Sequence, residues 1–212
     1  MAKASDKTDP VIRAAFDLAA RLGWRHVGLA DIAAESKLSL AKLYGRYRSK
    51  TDILIGFARD IDAAVLAGTG KPSEDESTRD RLFDALMRRF EALGPYKDGL
   101  AAILRDGAGG PAALLCGGAS LLRSMAWTLE SAGVGSNGLK GRLRTKGLFV
   151  VYLSSLRVWL RDETEDLAPT MAALDKRLAR AESLAQGGLP GWGPRRPESP
   201  GPENNGEQAP QS

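Results

Sequence analysis

The 212-residue chain predicts an all-α fold. Apolar residues recur at i, i+3, i+4 and i+7 through most of its length, and several of these runs are preceded by a Ser or Asp suited to capping a helix. The one run that resembles a buried strand, Gly147 to Leu153, has no turn signal at either end. It lies among Leu143, Leu153, Leu156 and Leu160 at helical spacing, so it too reads as helix.

The first helix follows Asp9 as cap and Pro10 at the first helical position. Val11, Ala14, Ala15, Leu18, Ala19 and Leu22 form its stripe, and Gly23 stops it. Trp24 just beyond is expected as a core anchor, because a lone indole needs no other role. Leu29, Ile32 and Ala33 place a second, short helix over Leu29 to Ser36. After a tight turn, Ser39 caps a third helix whose first turn is Leu40, Ala41 and Lys42, with Leu43 and Tyr47 on its inner side. Ser49-Lys50-Thr51-Asp52 reads as a capping box opening a fourth helix through Ile53, Leu54, Phe57, Ile61, Val65 and Leu66. Lys50 in that first turn opposes the helix dipole unless an anion lies beside it, which points to a phosphate partner.

Gly68 to Glu76 reads as a surface linker. Ser77 to Asp80 caps the next helix, which carries Leu82, Phe83, Leu86, Met87, Phe90 and Leu93 and ends at Gly94-Pro95. A short helix over Tyr96 to Arg105 exits through Gly107 to Pro111. Ala112 to Ala132 is apolar nearly all round and broken by Gly117-Gly118, which predicts a buried helix with a close backbone contact or a kink. Leu139 to Asp162 is the penultimate helix. The last carries Leu167, Met171, Leu174, Leu178, Ala181 and Leu184, with Pro169 tolerated in its first turn. From Gly187 onward Gly, Pro, Asn, Gln and Glu dominate, and too little apolar surface remains to offset the entropy of ordering. Trp192 with Arg195-Arg196 is the one docking-like feature of that tail.

The net charge is +4, and its location is more telling than its size. Residues 1 to 52 hold ten cations (Lys3, Lys7, Arg13, Arg21, Arg25, Lys37, Lys42, Arg46, Arg48, Lys50) against six anions (Asp6, Asp9, Asp17, Asp31, Glu35, Asp52), the whole of the excess. From Lys37 to Lys50 no acidic residue interrupts the cations, and Tyr44 and Tyr47 alternate with them. Such a helix suits a nucleic-acid groove, where cations neutralise phosphate and a phenol reaches an oxygen.

These residues carry a resemblance. Asp31-Ile32-Ala33, Leu43-Tyr44, Tyr47, Ser49-Lys50 and Ile53-Leu54 look like the N-terminal helix-turn-helix domain of TetR-type transcriptional regulators, over about residues 9 to 56. The resemblance implies that Ser39 caps the recognition helix and that Leu40, Ala41, Lys42, Gly45 and Arg46 form its exposed reading face. It also implies that Tyr44 and Lys50 hold phosphates. It implies a homodimeric repressor of a near-palindromic double-stranded operator, loosened by a small ligand. Two residues depart from the pattern: Lys37 stands at a turn position usually held by Gly, and Gly28 where a capping Thr or Ser is usual. A side chain at positive φ there costs about 1 kcal/mol.

The implied organisation is a disordered N-terminus (1–8), a helix-turn-helix domain (9–56, its fourth helix continuing to about 67), a helical ligand-binding and dimerisation domain (68–186) and a disordered tail (187–212). The last two helices offer more apolar surface than one chain needs and predict a four-helix dimer interface. Phe83, Met87, Phe90, Leu122, Met125, Trp127, Phe149 and Tyr152 are either ordinary core or the lining of an apolar chamber for a hydrophobic or isoprenoid effector. Residues 79 to 178 also resemble the TetR-fold lipid-binding proteins of ubiquinone biosynthesis, through Pro95-Tyr96, Trp159-Leu160-Arg161-Asp162 and Leu174 to Leu178. This implies an alternative, a lipid-presenting accessory protein with a relic helix-turn-helix.

One cysteine, Cys116, and one histidine, His26, give no disulfide and no Cys- or His-rich metal site. With no phosphate-cradling Gly loop either, neither an enzyme nor a cofactor is expected. No apolar stretch is long enough for a membrane span and the N-terminus has no signal-peptide core, so a cytoplasmic location is expected.

Overall fold

The computed structural model describes residues 9–70, 76–107 and 111–188. Its elements are α1 (Pro10–Leu22), α2 (Leu29–Glu35), α3 (Leu40–Arg46), α4 (Lys50–Ala67), α5 (Thr78–Leu93), α6 (Lys97–Arg105), α7 (Pro111–Ser131), α8 (Gly138–Trp159) and α9 (Ala168–Gly188), with 3-10 turns at Trp24–His26 and Gly94–Tyr96. Among the described residues there is no strand. Residues 1–8, most of the 187–212 tail with Trp192 and Arg195-Arg196, and parts of the expected linker and of the α6 exit lie outside the described residues. So does the side chain of Cys116.

The caps form where local chemistry places them. Asp9 Oδ1 accepts from the Val11 amide at 2.9 Å, and Ser39, Ser49 and Ser77 accept from the amides of Lys42, Asp52 and Asp80. Only half of a capping box exists at α2. The Gly28 amide donates to Asp31 at 2.8 Å, and Gly28 has no side chain to return the bond.

Helices α1, α4 and α6 form the junction of the molecule. Phe16 of α1 lies 4.2 Å from Phe57 of α4, and Tyr96, just before α6, meets both rings edge-on at 5.3 and 4.9 Å. Gly99 makes this approach possible: a Cβ there would sit 2.4 Å from the Phe16 carbonyl oxygen. Beyond the junction, α4 packs on α5 and α7, and α8 on α9. Phe90 stacks between Tyr152 and Trp159 at 5.6 and 5.8 Å.

Two polar ties fix the body. Arg89, buried on α5, donates to Asp62 of α4 at 2.6 Å and to Ser124 of α7 at 3.1 Å, while the Ser124 hydroxyl donates to Asp62. Asp162 holds the α8–α9 connection: one oxygen accepts from Thr164 and the other from the amide and hydroxyl of Thr170. Lys97 reaches the Asp162 carbonyl.

Helix α7 corrects one expectation. Ser124, Met125, Thr128 and Leu129 are buried, but Gly117 is exposed, no atom lies where a Cβ on Gly117 or Gly118 would make contact, and Trp127 is 56% exposed. A helix of Ala, Gly and Leu is apolar around its whole circumference, yet α4, α5 and α8 cover only one side of it. Helix α9 runs to Gly188.

Burial alone raises the pKa of Asp162, but the Thr164 and Thr170 donors outweigh it and hold the carboxyl at about 2. A carboxylate whose folded pKa lies below its unfolded value of about 3.9 stabilises the fold above that value and loses the contribution as pH falls. Chemical denaturation of wild type and Asp162→Asn across pH should therefore show a stability gap that is largest near neutrality and closes between about pH 4 and pH 2. A gap independent of pH would contradict the role of the charge.

Candidate nucleic-acid interface

Helices α2 and α3 form the expected helix-turn-helix, and the turn between them shows how it accommodates Lys37. The Lys37 amide donates to Ala34 O and the Leu38 amide to Ala33 O, the paired bonds of a Schellman helix end. The residue at its centre must be left-handed, and Lys37 is, at φ 57°. The turn is therefore unmodified and the lysine carries the strain.

Ile32, Ala33 and Leu43 are buried, and α2 packs on both α1 and α3. Ser39, Leu40, Ala41, Lys42, Tyr44, Gly45 and Arg46 are all exposed, with Leu40 at 56% and Tyr44 at 65%. The residues that the resemblance implies as a reading face are thus exposed around α3, of which only Leu43 is buried, and Arg48 is exposed just after it. A short helix presenting two cations, a phenol and small residues can enter a major groove and meet both phosphate and base edges.

Lys50 is placed differently from a free phosphate ligand. Its ammonium donates to the Trp24 carbonyl at 2.5 Å and the Val27 carbonyl at 2.8 Å, and lies 4.2 Å from the centre of the Trp24 ring. Burial lowers its pKa, while Asp106 works in the opposite direction. An ammonium has three donors, and the two carbonyls take two of them. Trp24 itself is buried, as expected of a core anchor.

Sequence reasoning passed over the other half of the site. Asp9, besides capping α1, accepts from Arg46 Nη1 at 3.3 Å and from the Tyr47 hydroxyl at 2.9 Å. Burial, then the hydrogen bond and charge of Asp9, push the Tyr47 phenol up to about 12, so it stays a donor. The Tyr47 ring lies against Gly56 of α4, where a Cβ would come within 2.8 Å of it. The one visible signal was a tyrosine at an inward-facing position, whose hydroxyl needs a partner when half-buried.

The expected chamber residues are dispersed. Phe90, Met125 and Tyr152 are packed into the core and Met87 is almost covered, whereas Phe83, Leu122 and Phe149 are half-buried. Trp127 faces outward on α7 and cannot line an interior chamber in a single chain. A cleft of about 520 Å³ lies elsewhere, against α8 and α9, lined by Ser154, Arg157, Val158, Arg161 and Arg177 among others.

No helix of the described residues is long and apolar enough to cross a membrane, and no cluster of His, Cys, Asp or Glu among them is arranged to hold a metal. The class defined by this geometry is an all-α protein with an N-terminal helix-turn-helix. Solved structures make it more particular. The chain superposes on a TetR transcriptional regulator from Nitrosomonas europaea with a TM-score of 0.66 at 24% identity, covering 82% of this chain and 96% of that one. A TetR transcriptional regulator from Rhodococcus sp. RHA1 gives 0.60 at 17% identity over 81% and 93% of the two chains. A TetR-family regulator from Streptomyces coelicolor gives 0.54 at 14% over 84% and 81%. No family model and no curated protein matches the sequence. The chain has the TetR-type fold.

Two outcomes test the local chemistry. Lys37→Gly should raise the unfolding free energy by about 1 kcal/mol by relieving the left-handed side chain, and an unchanged denaturation midpoint would refute the strain. Lys50→Met should lower it by about 1.5 kcal/mol, the low end for a charged donor on carbonyl acceptors. Wild-type stability in that variant would mean that the two carbonyl bonds contribute nothing.

Proposed function

We propose that the chain is a homodimeric DNA-binding transcriptional regulator, a repressor released by a small hydrophobic ligand. The observation that carries the reading is the face of α3: Lys42, Tyr44 and Arg46 stand exposed beside Leu40, Ala41 and Gly45, on a helix anchored from behind by buried Leu43. Apart from the Arg46–Asp9 bond, these exposed side chains make no side-chain hydrogen bond described within the chain. Against a duplex each cation releases condensed counterions and each exposed small residue permits close approach to base edges.

In this reading Lys42 and Arg46 face base edges, while Tyr44 and Lys50 hold the phosphate chain. Ser39 caps the helix that enters the groove. One such helix contacts only a half-site, so affinity at physiological salt needs a second copy. The pairing surface is proposed on α8 and α9, where Leu139, Leu143 and Val150 share an outward face of α8 and Leu184 stands out from α9; Leu139 is 85% exposed and Val150 63%. Apolar surface of this kind is normally covered by a partner subunit. The proposed two-domain division follows from the junction: residues 9–56 form the reader, and 68–186 the body that pairs and responds.

Release by a ligand requires only that the ligand bind one arrangement of the two readers better than the other. Helix α4 is the proposed transmitter, since it begins at Lys50 beside the reader and is held at Asp62 by Arg89 of the body. The alternative of a lipid-presenting protein has less support, because Phe90, Met125 and Tyr152 are already packed against neighbours. We propose no catalytic role and a cytoplasmic location, where an operator is accessible.

Selection of bound duplexes from a random library, followed by fluorescence anisotropy on the winner, tests the reading directly. The wild-type protein should enrich a near-palindromic site, and Arg46→Ala should weaken binding by about 1–3 kcal/mol and relax the preference at one position of that site. No enrichment, with no duplex binding even at low salt, would overturn the proposal.

A further inference from the structure

The carboxylate of Asp9 reaches across to the reading helix from outside it. Its position is determined twice over: Oδ1 caps α1 through the Val11 amide at 2.9 Å, and Oδ2 accepts from the Tyr47 hydroxyl at 2.9 Å. Tyr47 is in turn pinned, since its ring lies on Gly56 of α4. The Asp9 side chain is only 20% exposed, whereas that of Arg46, whose Nη1 it accepts at 3.3 Å, is 55% exposed. A rigid acceptor therefore meets a long and otherwise mobile donor.

An exposed arginine near a duplex has two destinations. Unrestrained, it swings to the nearest phosphate, a contact that carries no sequence information. A guanidinium held by one nitrogen keeps its remaining donors directed outward in a fixed fork, the geometry that meets the O6 and N7 acceptors of guanine in the major groove. The same carboxylate repels phosphate and so penalises the first destination.

We propose that Asp9 is a specificity-determining residue, a positioning group that tethers Arg46 so that its guanidinium meets a guanine edge rather than the phosphate chain. This rests on the DNA-binding reading above. Asp9 itself touches no DNA. Its effect passes through Arg46, and the Tyr47 hydroxyl maintains it by fixing the second oxygen.

The test uses the full-length protein, a duplex selected from a random library by the wild type, and a scrambled duplex of equal composition. Asp9→Asn keeps a capping oxygen on α1 and removes the charge. It should tighten binding to the scrambled duplex and narrow the ratio of selected to scrambled affinity by about tenfold, the size of one lost base-edge contact. Tyr47→Phe, which keeps both the charge and the ring on Gly56, should narrow the ratio by less. In an Arg46→Ala background Asp9→Asn should leave the ratio unchanged, because the tethered group is gone. The proposal is overturned by an unaltered ratio in Asp9→Asn, or by equal narrowing with and without Arg46. If the wild type selects a site and Asp9→Asn is silent, only this inference fails. If the wild type binds no duplex at all, the DNA-binding reading falls and this inference with it.

Discussion

The packing of α1 against α4 and α6 is the constraint on which the rest depends. Phe16, Phe57 and Tyr96 meet within about 5 Å of one another, and the missing Cβ of Gly99 brings α6 onto the α1 backbone. Because interiors are close-packed, a shift of any one of these helices must be taken up by the other two. The N-terminal helices are therefore coupled mechanically to the rest of the fold through a small contact. Asp106 at the end of α6 adds a polar element to it by accepting from the Arg25 amide at 3.0 Å.

A second coupling runs through charge. Arg89 and Asp62 are expensive to desolvate, and Ser124 offsets part of that cost by accepting from Arg89 and donating to Asp62, although Arg89 Nε stays buried without a hydrogen-bond partner. The tie joins α4, α5 and α7 at one point, and the Arg89 guanidinium also lies 5.4 Å from the Tyr152 ring of α8. Fixed at Lys50 by carbonyls and at Asp62 by an ion pair, α4 behaves as a strut between the two ends of the molecule.

At the reading end, electrostatics are less one-sided than the run of cations suggests. Lys50 is largely engaged within the fold and Arg46 has a carboxylate at its side, while Lys42, Arg48 and Tyr44 make no side-chain hydrogen bond described within the chain. A surface with some cations restrained and others free separates two tasks. In the proposed DNA-binding reading, free cations supply affinity that is indifferent to sequence, and restrained ones direct the remaining donors.

Most of the fold was legible in the residue order. Helix ends at Asp9, Ser39, Ser49 and Ser77 follow from side chains satisfying amides two or three residues away, and the outward set on α3 follows from the 3.6-residue turn that buries Leu43. At Lys37 the residue order left a modified turn and a strained lysine both open, and the structure takes the second. The circumference of α7 was not legible: composition says a helix is apolar all round, but only its neighbours decide which side they cover. The sequence by itself determined whatever depends on neighbours a turn apart. Tertiary structure alone decided that Asp9 would meet Arg46 and Tyr47, Lys50 the carbonyls of Trp24 and Val27, and Arg89 both Asp62 and Ser124. These partners are more than twenty residues apart in the chain, and no local periodicity records which distant groups will share one buried space.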